Sequence, residues 1–211
     1  MLGRFSKTVI PYGLDTDIFN NRNSDGLQEA LGIPSDAFII GFVADSLTNK
    51  RKGFAYLNNA LNQLNNRKIY LVSIGGNSPA LPDNLNHIHL GRIEQDRLLS
   101  LAFSLFDIFV CPSLEDNLPN TVLESLACGT PVVGFNTGGM PDMVDSGITG
   151  YLATDYSVES LRFCIEKALI EKNGLEAMAI DCREKVLNED TLTKQADSYS
   201  KLYSSMLGRA C

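Results

Sequence analysis

Two acidic side chains eight residues apart, Asp116 and Glu124, bracket a turn and a helix start in the run Pro112-Ser113-Leu114-Glu115-Asp116-Asn117-Leu118-Pro119-Asn120-Thr121-Val122-Leu123-Glu124. Ionised carboxylates offer two acceptor oxygens each, which suits vicinal hydroxyls. Between them, Asn117 to Thr121 lead into the first turn of a helix, where four N–H groups lack intrahelical partners and the dipole is positive. A phosphate can bind there without further basic residues. The pairing suits a ligand that carries both hydroxyls and phosphate, and a nucleotide sugar is such a ligand. The densest basic run, Lys50-Arg51-Lys52, reads either as a cationic partner for that phosphate or as a solvated charge run.

The elements that must position these residues alternate. Continuous apolar runs at Ala37–Val43, Ile69–Ile74, Ile108–Cys111 and Pro131–Phe135 read as strands covered on both faces, with shorter strands at His87–Leu90 and Gly150–Leu152. A third short β-prone run spans Lys7–Ile10. Helices are predicted over Ser24–Leu31, Gly53–Leu64, Gln95–Phe103, Asn120–Ala127 and Pro141–Asp145. Ser157 reads as the N-cap of another, followed by helices at Leu175–Val186 and Leu192–Leu207. Strands separated by helices imply βαβ units, a parallel sheet and right-handed crossovers. The loops after Val43, Ile74, Cys111 and Phe135 then face one cleft. Gly75-Gly76-Asn77 is either a plain strand-to-helix turn or part of that cleft.

Length and charge bound the rest. The chain has 211 residues, 44% hydrophobic, with a net charge of −7. An acidic chain disfavours non-specific binding to nucleic acid. Five cysteines, Cys111, Cys128, Cys164, Cys182 and Cys211, are odd in number and include no CxxC pair. They read as small buried hydrophobes in a reducing compartment. No signal peptide and no membrane-length apolar run is apparent, so the sequence reads as cytoplasmic. Asp15-Thr16-Asp17 is a DxD tripeptide but follows no nucleotide-binding strand, and His87 and His89 lack a third ligand. No metal site is expected. Tyr199 and Tyr203, four apart on the last helix, read as packing residues.

The acidic spacing resembles the acidic-x7-Glu signature of retaining GT-B glycosyltransferases, in particular family 4. The likeness extends, in order, through Ile10-Pro11-Tyr12-Gly13-Leu14-Asp15, Lys52-Gly53, Gly91-Arg92-Ile93, Pro112 to Val133, Gly138-Gly139-Met140-Pro141-Asp142 and Gly150-Tyr151-Leu152. The stretch Glu115 to Thr121 is similar to one in capsule and exopolysaccharide transferases. The resemblance implies a Rossmann-like doubly wound parallel sheet, α/β, one half of a GT-B fold. It divides the chain into a nucleotide-sugar-binding domain over 1–190 and a helix over 191–211 that would cross back to a missing N-terminal domain.

Roles follow residue by residue from that resemblance. Glu124 would hold the ribose hydroxyls and Asp116 the hydroxyls of the transferred sugar. The amides of Asn117, Leu118, Pro119, Asn120 and Thr121 would line sugar and phosphate (Pro119 contributing no N–H). Lys52 would pair with the diphosphate, Ile93 would hold the base through its backbone, and Gly138 and Gly139 would lie close to the donor. Two departures stand out. The first acid is Asp116 where Glu is usual, with Glu115 beside it. The Arg usual five residues before the Lys is Leu47, leaving Arg51 or Lys50 to supply the second cation. The implied reaction is sugar transfer from a nucleotide diphosphate sugar to a hydroxyl of a glycan or lipid-linked glycan, with no metal and no cofactor beyond the donor. The fragment would be largely inactive alone, with peripheral attachment at the inner membrane face open to the full-length protein. The rival readings are a GT-B-fold nucleotide-sugar epimerase and a non-catalytic nucleotide-sugar-binding module.

Overall fold

A computed structural model describes residues 8–64, 68–77, 81, 85–171 and 174–207. Six strands form one parallel sheet: β1 (Phe38–Ser46), β2 (Ile69–Gly76), β3 (Asn86–His89), β4 (Ile108–Cys111), β5 (Val132–Phe135) and β6 (Gly150–Ala153). Their order is β3-β2-β1-β4-β5-β6. This is the doubly wound arrangement in which the chain leaves β1 and β4 in opposite directions. The helices are α1 (Asp25–Ala30), α2 (Phe54–Asn62), α3 (Asp96–Leu105), α4 (Asn120–Ala127), α5 (Met140–Met143), α6 (Val158–Ile170), α7 (Leu175–Glu189) and α8 (Leu192–Leu207).

The apolar strands are continuous because each feeds two cores. Phe38, Ile40 and Phe42 of β1 join Leu57 of α2 and Leu161 and Ile165 of α6 on one face. Ile39 of β1 joins Phe103 of α3, Val122 and Leu126 of α4, and Val186 of α7 on the other. With both faces covered, every second side chain is buried on each side. Ser157 caps α6 as its spacing predicts, accepting from Ser160 N at 3.0 Å. The four described cysteines are free and buried. Cys211 lies outside the described residues.

Two expectations fail. Residues 8–10 form no strand, and Lys7 lies outside the described residues. That segment is held instead at its far end, where Leu14 N donates to Asp190 O at 2.8 Å. Second, α8 buries none of its residues. Tyr199 and Tyr203 are 42% and 58% exposed and stack on each other, ring centroids 6.0 Å apart, rather than on the domain. Its apolar residues Leu192, Tyr199, Tyr203, Met206 and Leu207 stand exposed, and residues 190 and 191 lie between α7 and α8.

One side chain ties the entry segment to the site-bearing helix. Arg183 of α7 donates to Phe19 O at 2.6 Å, to Ala127 O at 2.9 Å and to Thr16 O at 2.8 Å. Arg183→Met leaves three carbonyls without their charged donor. It is expected to lower the unfolding free energy by about 2–4 kcal/mol, read from the urea midpoint at constant m-value.

Candidate functional site

The site grows from contact between the loops that follow β1 and β4. Lys52 closes a single 3-10 turn, Lys50–Lys52, whose Asn49 side chain accepts from Arg51 N. Gly53 then takes φ +70, and a Cβ there would lie 1.8 Å from Pro112 O. Glycine is required both for the left-handed backbone and for this approach. Leu114 N donates to Arg51 O at 2.8 Å, joining the loops. Lys52 Nζ then donates to Asp116 Oδ2 at 2.8 Å, with the two side chains 29% and 19% exposed. The Asp116 turn is buttressed from behind, since Cβ atoms at Gly138 and Gly139 would fall 1.8 Å and 1.9 Å from the carbonyl oxygens of Asp116 and Asn117.

This ion pair stands between two clefts. The first, about 570 Å³, is lined by Lys52, Asp116, Ile93, Leu118, Pro119, Asn120, Thr121 and Glu124. The second, about 820 Å³, is lined by Lys52 and Asp116 from its own side, with Arg51, Asn117 and Gly138. The residues that the sequence assigned to one ligand are therefore divided. Arg51, Asn117 and Gly138 open onto the second cleft, and Gly139 lines neither. The physical reason is the bridge itself, which places a wall where the sequence suggests one continuous surface.

Glu124 is the most buried of the carboxylates assigned to the ligand in the first cleft. Its Oε2 is buried with no hydrogen-bond partner. Burial, with a smaller contribution from the Asp96 carboxylate, pushes its pKa from 4.5 to about 7. A buried acceptor left unpaired costs free energy unless something donates to it. The start of α4 opens beside it. Its N-cap position is Pro119, so no side chain occupies the first-turn amides.

Several residues escaped the sequence reading. Tyr12, Asp45, Arg92 and Glu94 also line the first cleft. Arg92 was quoted only as the neighbour of Ile93, although its charge was the available signal for a second cation. Leu47, where that cation was sought, is buried at 2% exposure. Lys50 lines neither cleft. Gly75 lines the first cleft, and its φ of +143 brings it against Ala44 O, so Gly75-Gly76-Asn77 belongs partly to the site. Asp15 caps its own turn, accepting from Asp17 N and Ile18 N. His87 Nε2 and His89 Nδ1 lie 2.7 Å and 3.0 Å from Ser73 Oγ at the sheet edge, and they line neither cleft. Among the described residues no three His, Cys, Asp or Glu side chains gather as metal ligands. No helix among them is long and apolar enough to cross a membrane.

A parallel sheet of this order, with a polar cleft beyond the carboxyl ends of the strands where the order reverses, defines a Rossmann-like α/β domain. The chain belongs to the Glycosyl transferases group 1 family, whose pattern matches residues 37–171. It is 30% identical over 190 residues to a D-inositol 3-phosphate glycosyltransferase of Corynebacterium jeikeium, covering 81% of this chain and 45% of that one. A Mycobacterium leprae protein of the same name is 29% identical over 178 residues, covering 80% and 41%. The chain thus spans less than half the length of these curated relatives. Among solved structures, sucrose-phosphate synthase from Thermosynechococcus elongatus superposes with a TM-score of 0.83 at 23% identity, covering 96% of this chain and 53% of that one. Anabaena Alr3699/HepE in complex with UDP-glucose superposes at 0.78 and 20%, covering 93% and 57%. These likenesses define the GT-B type of fold.

The raised pKa of Glu124 has a stability consequence. Below pH 4.5 the folded and unfolded chains both hold the proton. Between there and about 7 the unfolded chain ionises first, so stability falls as pH rises, by up to about 3 kcal/mol. Glu124→Gln is expected to be more stable than the parent at pH 8 and equal to it near pH 4, as checked by urea unfolding at both pH values.

Proposed function

We propose that this chain binds a nucleotide diphosphate sugar and forms the donor half of a retaining glycosyltransferase that transfers the sugar to a hydroxyl of a glycan, cyclic polyol or lipid-linked glycan. The observation that carries this reading is the buried, unpaired Glu124 Oε2 in the same cleft as Lys52, Arg92 and the opening turn of α4. A carboxylate acceptor for a diol and cations for a diphosphate are the two halves of such a donor. The names of the relatives, D-inositol 3-phosphate glycosyltransferase, support sugar transfer. A structural neighbour involved in lipopolysaccharide biosynthesis, WaaG, is consistent with a role in glycoconjugate synthesis. The capsule and exopolysaccharide likeness is the narrower form of that reading.

In the mechanism, Glu124 accepts from the ribose hydroxyls and the backbone around Ile93 holds the base. The barrier is departure of the nucleoside diphosphate, which gathers negative charge. Lys52, Arg92 and the free amides of α4 are fixed where that charge develops, which is the largest contribution in most such reactions. The chemistry needs no metal if these groups carry the charge. Asp116 positions the transferred sugar and holds the Lys52 ammonium in place without attacking the anomeric carbon. The acceptor hydroxyl forms the new bond on the face that the leaving group vacates, and its proton passes to a leaving phosphate oxygen. The remainder of a longer protein, against which the exposed apolar residues of α8 pack, contributes further to acceptor recognition.

Calorimetric titration with UDP-, GDP- and ADP-sugars tests the reading. One of them is expected to bind, and Glu124→Ala to weaken it by about tenfold or more, the worth of a hydrogen bond to a buried charge. Absence of binding by every donor, or unchanged binding by the variant, overturns it. Hydroxyls donate to the ionised carboxylate, so the donor favours the deprotonated form. With a pKa of about 7 for Glu124, affinity should rise about tenfold from pH 6 to pH 8, a window in which a diphosphate diester does not titrate. A flat profile would remove Glu124 from the ribose.

A further inference from the structure

The second cleft shares only Lys52 and Asp116 with the first, and the donor reading leaves its Tyr56, Leu114, Glu115, Thr137 and Tyr156 unused. Two of its lining residues are aromatic, Tyr56 and Tyr156, and both pack on a core ring. The buried ring of Phe135 lies 5.4 Å from Tyr56, edge-on at 84°, and 5.4 Å from Tyr156. Tyr156 is 52% exposed, yet its orientation is locked. Its hydroxyl donates to Thr137 Oγ1 at 2.6 Å, and Thr137 Oγ1 donates to Leu114 O at 3.4 Å. An exposed tyrosine tethered at its hydroxyl and backed by a core phenylalanine presents a rigid ring face at little ordering cost. Arg51 and Glu115, both exposed, stand at the rim with a donor fork and an acceptor pair.

We infer that this cleft is a subsite for a sugar ring of the acceptor, with the ring's C–H face on Tyr56 and Tyr156 and its hydroxyls on Arg51, Glu115 and Asn117. The inference rests on the donor reading for its role, though the binding it describes can be measured separately. Three observations select this occupant. The volume of about 820 Å³ falls in the range of small-molecule sites, roughly 300–1,000 Å³, and accommodates more than one ring. The rim charges balance, with Arg51 against Glu115 and Lys52 against Asp116, which favours a neutral polyol over a polyanion. The two clefts meet only at the Lys52–Asp116 pair. An acceptor ring held in the second cleft therefore brings its hydroxyl to the point where the donor's sugar and phosphates end in the first. Holding both reactants at that wall supplies the positioning that a two-substrate transfer requires.

The test is an amide-detected NMR titration of the full chain, first with UDP, then at saturating UDP with methyl α-glucopyranoside, cellobiose or inositol monophosphate. The expected result is saturable shifts at Tyr56, Thr137 and Tyr156 with a glucoside. Tyr156→Ala should abolish them and Tyr156→Phe, which keeps the ring, should retain them. The UDP response near Ile93 and Glu124 should be unchanged in both variants. That response reports on the donor reading in the same sample, so the two ideas fail separately. No saturable shift at the tyrosines with any of the three compounds overturns the subsite. Shifts there with UDP-glucose but not UDP overturn the acceptor assignment, making the cleft the donor's own sugar pocket. Binding of inositol monophosphate alone, lost in Arg51→Ala but intact in Tyr156→Ala, overturns the aromatic platform in favour of an anion site.

Discussion

The ion pair between Lys52 and Asp116 spans the one place in the sheet where the chain departs in opposite directions. Because α2 leads away from β1 toward β2 and α4 leads away from β4 toward β5, the crevice above β1 and β4 is not covered by a crossover. Something must join the two rims, and the structure uses a 2.8 Å contact between half-buried charges. Its worth as a stabilising pair is modest at this exposure. Its consequence is geometric, since it fixes the β1 loop to the β4 loop and cuts the crevice into two clefts. Gly53 against Pro112 O and Gly138 against Asp116 O are the backbone conditions for it. A side chain at either position would separate the groups that the pair brings together.

Glu124 shows the opposite economy. A buried carboxylate with an unpaired oxygen destabilises the fold at neutral pH. Glutamate is rarely buried this far without a partner. Its presence beside the uncapped first turn of α4 is intelligible when a ligand supplies the missing donors. Stability is then spent on a preformed acceptor, the usual relation between function and fold at a binding site. The neighbouring cations Lys52 and Arg92 complete the set of charges a nucleotide diphosphate requires.

Much of this was legible in the sequence, for reasons that can be stated locally. The strand at Ile108–Cys111 and the helix at Asn120–Ala127 lie where apolar run and helical periodicity put them. Ser157 announced its helix by chemistry alone. The run Lys50-Arg51-Lys52 shows the limit. Its composition does not distinguish the residues, yet the 3-10 turn sends Lys52 into both clefts, Arg51 into one and Lys50 into neither. Asp45 was missed because it belongs to no run or spacing, and Arg92 because Gly91-Arg92-Ile93 points to the backbone of Ile93. They reach the cleft only because β2 brings Gly75 N to donate to Gly91 O and β1 extends past its apolar stretch to Ser46. Residues 8–10 carried strand propensity, but the chain places them at neither sheet edge, β3 or β6.

What the sequence determined by itself was the set of elements, their parallel arrangement and the acidic pair around a helix start. Each of these is written in short-range patterns: continuous apolar runs that require cover on both faces, helical spacing, and glycines where the backbone must turn. The tertiary structure alone decided which charges meet. Lys52 and Asp116 are 64 residues apart, and no local pattern encodes their contact or the wall it builds. The burial that raises the pKa of Glu124 likewise comes from chain segments distant in sequence. Electrostatics and cleft boundaries depend on distances across the sheet, and those exist only once the strand order is set.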